Sequence, residues 1–433
     1  MSMKILLINP PNCGKSIPEE RYGIDSIKQI LRGEPLSLEV LAGALFDHEV
    51  IIMDLKADNR PLEMVLDEFH PDLVGITGMT CEANTMIKIA SQVKSTPNTI
   101  VVVGGIHASN CPEFFNRPEV DYIVVGLGKA SLSELVSAIE TKKNTNMIPG
   151  VIKTGKSRQM KYITRDYGTA DLMEDRAPRY DLVEDYRQCY FLPSLGIQMG
   201  FVVTAYGCPY RCSFCAIHEQ AGGKYLTHGI ESVIRDISVL RDIPFIRLVD
   251  ANTFGNPDYA ECICESIVEA GIKKDFMVDV RADTVVHYSD LLRKWKQAGL
   301  RAVVIGFEEV NNQRLRAMNK KINLSLIVEA IHILKELGVS IVGDFIISPD
   351  YDESQFEALE LFIQDNPVDL PMYTVLTPLP GTPLYRKMKN RIIIEDLDYY
   401  TLTNAVVSTR LEENTFYTKY AKLLSTGHKE IQI

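Results

Sequence analysis

Three cysteines stand within eight residues of one another, Cys208, Cys212 and Cys215, in the stretch TAYGCPYRCSFCAIHEQAGGKY. Thiolates spaced C-x3-C-x2-C can converge only if the chain folds into a tight loop, and Gly207 and Pro209 favour such a turn. Three thiolates can hold three irons of a [4Fe-4S] cubane and leave the fourth open to a ligand that is not protein. A structural zinc ion would need four closed ligands, for which His218 is the available fourth. Zinc sites pair C-x2-C units, or C-x2-C with H-x3-H, so the spacing favours the cluster.

Other chemically able residues sit where strands are expected to end. Asp250 and Asn252 occur in LVDANTF, Arg281 in VDVRAD and Glu308 in IGFEE. The planar fork of Arg281 suits a carboxylate. Asp344, in VGDFII, lies inside a predicted strand and should point into a barrel or out to a helix. Ordinary ion pairs also occupy such positions, so the shared location carries the argument. Earlier in the chain, Thr77 and Thr80 (GITGMT), Gly104, Gly105 and His107 (GGIHAS) and Gly126 (VVGLGK) follow predicted strands. Small residues there let the backbone approach a ligand. Cys13, Cys81 and Cys111 also follow strands, and read as buried or half-buried structural thiols rather than a second cluster.

The elements that must position these residues follow from periodicity. Short two-sided apolar runs at 4–9, 50–55, 73–77, 100–104 and 122–125 alternate with helical patterns at 36–46, 62–69, 83–94 and 131–139. This predicts a doubly wound, Rossmann-like α/β domain over 1–140, with ligands at the carboxyl ends of its parallel strands. Residues 141–199 lose the rhythm and read as a connector laid over the surface. Over 200–385 the alternation resumes. Six strand-like runs (201–205, 245–250, 276–281, 302–307, 340–347 and 372–376) predict a partial (β/α)6 barrel with its site at the C-terminal strand ends. Residues 386–433 form a short helical tail. Its aromatic residues Tyr399, Tyr400, Phe416, Tyr417 and Tyr420 suit either an apolar pocket or a helix capping the barrel.

At 433 residues the chain is long enough for two domains, and 46% hydrophobic with 24% charged residues is the balance of a folded protein. The net charge of -11 argues against a nucleic-acid partner. Nine cysteines without secretory features argue against a disulfide framework. The start MSMKILLINPP is too short and wrongly flanked for a signal peptide, and no apolar run is long enough to span a bilayer. A cytoplasmic location is expected.

The cysteine loop, with Phe214 in the aromatic place before the last cysteine, resembles the signature of radical S-adenosylmethionine (SAM) enzymes. That resemblance implies a [4Fe-4S] cluster whose open iron binds SAM and whose electron cleaves it to a 5'-deoxyadenosyl radical. It implies SAM contacts at Phe214, at Asp250 and Asn252 (methionyl amine), at Arg281 (carboxylate) and at Glu308 (ribose or amine). A Gly-Gly-Glu sequence is the commoner form at the Asp250–Asn252 position. Residues 1–140, through KILLINPPN, PLSLEVLAGAL, Thr77, Thr80, Gly104, Gly105, His107 and Gly126, resemble the cobalamin-binding domain fused to many such enzymes. The Asp-x-His-x-x-Gly signature is missing, which implies a cobalt without a histidine ligand, and Lys129 departs from the usual Gly-Glu-Gly-Glu-like turn. The connector, AGGKY, AGIKKDFMVDVRADTVV and the tail resemble hopanoid C-3 methylases and the bacteriochlorophyllide-modifying methyltransferases and hydroxylase. An apolar polycyclic substrate, a tetrapyrrole or hopanoid, methylated through methylcobalamin, is what the likeness implies, with flavodoxin or ferredoxin as electron donor. Hydroxylation without methyl transfer is the alternative enzyme, and a non-catalytic cluster- or cobalamin-binding redox sensor the alternative of another class.

Overall fold

The computed structural model describes residues 2–24, 33–155, 160–192, 197–366 and 368–427. In its first half, β1 (Lys4–Asn9), β2 (Glu49–Asp54), β3 (Leu73–Ile76), β4 (Ile100–Val103) and β5 (Tyr122–Val124) run parallel in the order β2-β1-β3-β4-β5. β6 (Val151–Lys153) adds to β5 antiparallel. A parallel sheet covered on both faces must be apolar at nearly every position. Accordingly Ile5, Leu6, Leu7 and Ile8 are all sealed from solvent. Odd residues of β1 pack with helices Leu36–Ala44 and Gly128–Glu140, and even ones with helices Leu62–Phe69 and Ala83–Val93. The strand order reverses between β1 and β3, which opens a crevice at their carboxyl ends.

The second sheet contains β7 (Phe191–Leu192), β8 (Ile197–Val202), β11 (Phe245–Leu248), β12 (Asp275–Val280), β13 (Leu300–Glu308), β14 (Ser340–Ile347) and β15 (Leu370–Val375). β8 and β11 to β15 are six parallel neighbours in chain order, and β7 is an antiparallel edge. Helices cover the outer face, where Phe276, Leu292 and Trp295 are fully buried. The Trp295 indole donates to the Ala260 carbonyl, so this residue is packing, as its sequence context implies. β9 (Ala205–Gly207) and β10 (Tyr225–Thr227) form a separate antiparallel hairpin bracketing the cysteine loop. The sequence reading had merged β9 into the preceding strand.

The connector is not a surface strap. Tyr167, Leu172, Tyr180, Val183 and Tyr190 are buried, and Tyr190 donates to Asp54 at the end of β2. Glu34 pairs with Arg187 of the connector and accepts from the backbone N–H of Phe201 in β8. The charged residues of this stretch had masked its apolar ones. The tail helix Glu413–Gly427 packs on the barrel: Phe416, Tyr417 and Tyr420 join its core, and Tyr420 donates to the Tyr373 carbonyl of β15. Among the described residues no helix is long and apolar enough to cross a membrane.

Candidate active site at the strand ends of both sheets

The cysteine loop begins where β9 ends. Gly207 has φ +79°, and a Cβ there would sit 2.1 Å from the Lys224 carbonyl oxygen, so the hairpin can close only on glycine. Beyond it Cys208, Cys212 and Cys215 are free thiols, all half-buried. Burial raises the thiols of Cys212 and Cys215, the latter to about 11, and the cations Lys320 and Arg281 lie close enough to oppose the shift at Cys212. Binding iron releases those protons.

The loop is held from several sides. Ser213 donates to the Met318 carbonyl and accepts from the N–H of Leu384, so the proline-rich segment 375–385 closes on the cluster loop. Asn319 donates to the Arg211 carbonyl at 2.6 Å. Among the described residues no three Cys, His, Asp or Glu side chains crowd onto one ion position. His218 sets its Nδ1 3.4 Å from the Cys208 carbonyl and packs its ring against Gly223.

The strand-end residues divide into those with protein partners and those without. Asp250 accepts from the N–H groups of Thr204 (2.6 Å) and Ala205 (2.8 Å) and from the Thr204 hydroxyl (2.7 Å). Burial raises its carboxyl to about 6 despite these donors. Its geometry makes it a clamp on the segment feeding the cysteine loop rather than a free ligand. Asp250→Ala should strand three buried donors and cost about 3 kcal/mol or more of stability in urea unfolding.

Arg281 forks Asp283 at 2.9 Å twice, donates to the Lys320 carbonyl, and stacks on the Tyr210 ring of the cysteine loop at 3.6 Å. Its fork therefore already has a carboxylate. Lysine at this position keeps the charge but loses the fork and much of the stacking. Arg281→Lys should speed iron loss to a chelator while shifting the melting temperature by less than roughly 5 °C.

Asn252 is the opposite case. It is 2% exposed, and neither its amide nitrogen nor its oxygen has a hydrogen-bond partner. A buried orphan amide costs free energy unless a ligand satisfies it. Glu308 ends β13 with φ +66°, a conformation costing a non-glycine residue about 1–3 kcal/mol. Its carboxylate pairs with Lys320 at 2.5 Å, and a Cβ at Gly306 would strike that carboxylate. Lys320 is the functional candidate the sequence reading missed. It is buried in the loop after helix Asn312–Ala317, between Asn319 and Lys321, both with positive φ. No periodicity marks it, only a contorted loop visible in three dimensions. Phe214 is half-buried within the cysteine loop.

On the other side of the crevice, a cavity of about 330 Å3 opens at the strand ends of the first sheet. Thr77, Gly104, Gly105 and Gly126 line it, together with Leu41, Val102, Val124 and Leu132. It continues to the barrel, where Val203, Ala205, Tyr206, Val249 and Ala251 form its far wall. Thr80 and His107 are not part of this lining. They face each other (3.3 Å), and the His107 ring packs edge-on against Phe114 and Phe115. Burial lowers His107 to about 4, so it is a neutral ring. Lys129 lines the cavity but donates to the carbonyls of Met173 and Arg176, pinning the connector. Cys13 donates to the Cys81 carbonyl, while Cys111 lies beside Tyr385 on another element.

An open βα half-barrel with three thiols at its strand ends, joined across an apolar cavity to a doubly wound domain, defines a radical SAM enzyme carrying a B12-binding domain. Family comparisons agree: the B12 binding domain matches residues 28–136 and the radical SAM superfamily residues 202–363. The chain thus carries a B12-binding domain followed by a radical SAM domain and is an enzyme, and its cofactors are a [4Fe-4S] cluster, SAM and cobalamin. It is 27% identical to hopanoid C-3 methylase of Methylococcus capsulatus over 93% of this chain and 78% of that one. It is 25% identical to bacteriochlorophyllide d C-12(1)-methyltransferase of Chlorobaculum tepidum over 79% of this chain and 72% of that one. The fold superposes with a TM-score of 0.76 on the radical SAM methyltransferase TsrM of Kitasatospora setae, solved with cobalamin and a [4Fe-4S] cluster bound. That alignment covers 98% of this chain and 91% of that one at 18% identity.

The residues present fit these groups. Free thiols lie on one anchored loop, an orphan amide and a buried lysine lie near it, and a Cβ at Gly104 would find ordinary contacts only, leaving the cradle open.

Proposed function

We propose that this enzyme methylates an unactivated carbon of a large apolar polycyclic molecule, a tetrapyrrole or a hopanoid. When bound, the cluster supplies the electron that cleaves SAM, and cobalamin carries the methyl group. Cys208, Cys212 and Cys215 hold the cluster. Asn252, Glu308 and Lys320 face SAM, while Asp250 and Arg281 position the loop. Thr77, Gly104, Gly105 and Gly126 cradle the cobalamin tail. The observation carrying this reading is an apolar cavity lined by residues of both domains, between the strand ends of the first sheet and the barrel mouth. A reduced flavodoxin or ferredoxin in the cytoplasm would supply the electron.

The test is anaerobic turnover of reconstituted protein with candidate bacteriochlorophyllides and hopanoids, using SAM labelled in its methyl group. Product gaining one labelled methyl is the expected result. Product gaining one oxygen and no label, from protein free of corrin, would favour the hydroxylase instead.

A further inference from the structure

Five charged side chains meet within the half-barrel. Arg247 of β11 pairs with Asp279 of β12 at 3.0 Å, and Lys320 pairs with Glu308 of β13 at 2.5 Å. The fifth is Asp344 of β14, which has no hydrogen-bond or ion-pair partner among the described residues, although all four of the others act on it electrostatically. Strand alternation places it inward. Gly343 and Phe345 on either side face outward, the glycine against Val368 and Phe307, and the Phe345 ring against Phe307 and Phe362. Its β15 neighbour in the register is the uncharged Met372.

Register also sets its neighbours. Asp344 pairs with Gly306 of β13, and a Cβ at Gly306 would lie 2.2 Å from the Glu308 carboxylate and 2.9 Å from the Lys320 ammonium. Asp344 therefore stands beside the Glu308–Lys320 pair, at the end of the barrel that carries the cysteine loop, where Lys320 and Glu308 also act on Cys212. Two cations and three carboxyl groups leave one carboxyl without a cationic partner, in surroundings that weaken charge solvation. SAM has a sulfonium, an ammonium and a carboxylate, one net positive charge.

We infer that Asp344 is the acceptor for a cationic group of bound SAM, its ammonium or its sulfonium. This rests on the SAM-binding reading above. It assigns to β14 a contact that the Asp250–Asn252 segment cannot make through Asp250, whose carboxylate is held by Thr204 and Ala205. Burial, then Glu308 and Asp279, raise the free carboxyl to about 7, against Arg247 and Lys320. An arriving cation favours the ionised form, so SAM binding near pH 6.5 should expel a proton, and affinity should rise with pH through about 7.

The experiment measures binding of SAM, S-adenosylhomocysteine and 5'-methylthioadenosine to cluster-loaded wild type, Asp344→Asn and Asp344→Glu. Asparagine keeps the shape and removes the charge. SAM affinity should fall about 10-fold or more in Asp344→Asn and lose its rise with pH, with partial recovery in Asp344→Glu. Binding of 5'-methylthioadenosine, which has neither cation, should be unchanged and reports an intact fold. A parallel loss for S-adenosylhomocysteine identifies the ammonium, and a loss for SAM alone identifies the sulfonium. Equal loss for all three ligands, or none for any, overturns the inference. Wild-type protein that binds 5'-methylthioadenosine but no SAM overturns the SAM reading itself and this inference with it.

Discussion

Cys212→Ala is expected to reduce 5'-deoxyadenosine formation from SAM to background, with iron content falling well below four per chain. The cubane has three protein ligands, and losing one leaves a second iron without a thiolate. The fold should survive, because Cys212 is outside the barrel core and the loop keeps its backbone bonds from Ser213 to Met318 and from Leu384 to Ser213. Anaerobic chromatography of the nucleoside, iron analysis and circular dichroism check the three parts. Deoxyadenosine formed at the wild-type rate would contradict the cluster assignment.

Gly104→Phe should exclude cobalamin while sparing SAM cleavage. Gly104 has an ordinary φ, and a Cβ there meets only the Val124 oxygen at 3.6 Å and the Val124 Cβ at 3.9 Å. The backbone therefore tolerates a side chain, whose phenyl group then occupies the cavity that Gly104 lines. Overpacking costs about 1–3 kcal/mol, roughly a 10- to 100-fold loss of corrin affinity. Gly105 would be a poor choice. Its φ is +91°, and a Cβ there would lie 2.7 Å from the Gly78 nitrogen and the Thr77 hydroxyl, so a substitution would strain the protein before touching any ligand. Gly126 is worse, with a Cβ 2.0 Å from the Tyr167 hydroxyl. Corrin absorbance after gel filtration measures the loss. Methyl transfer should stop, and deoxyadenosine should still form, since the thiols belong to the other sheet. Turnover to methylated product with no corrin bound would contradict the cobalamin role.

Much of this architecture was legible in the residues. β1 and β14 begin and end where the periodicity placed them, because buried parallel strands are mostly apolar runs, which Asp344 within β14 interrupts without ending. The short pairs were not: β9 and β10 have three residues each, and their pairing spans the cysteine loop, a non-local choice that no window detects. The connector misled through composition, since its charged residues outnumber the few tyrosines and leucines that anchor it.

The sequence by itself determined the three-thiol loop, the order of βα units and the glycines at the crevice, because these depend on local spacing, local periodicity and steric permission. Only the tertiary structure decided which polar strand-end residues remain available. Asp250 and Arg281 look as free in the sequence as Asn252 and Asp344, yet the first two are held by Thr204, Ala205, Asp283 and Tyr210 and the last two have no hydrogen-bond partner. Partners come from elements tens of residues away, as Lys320 comes to Arg281 and Glu308. Pairing of charges is a property of distance in the folded chain, which residue type and spacing do not encode.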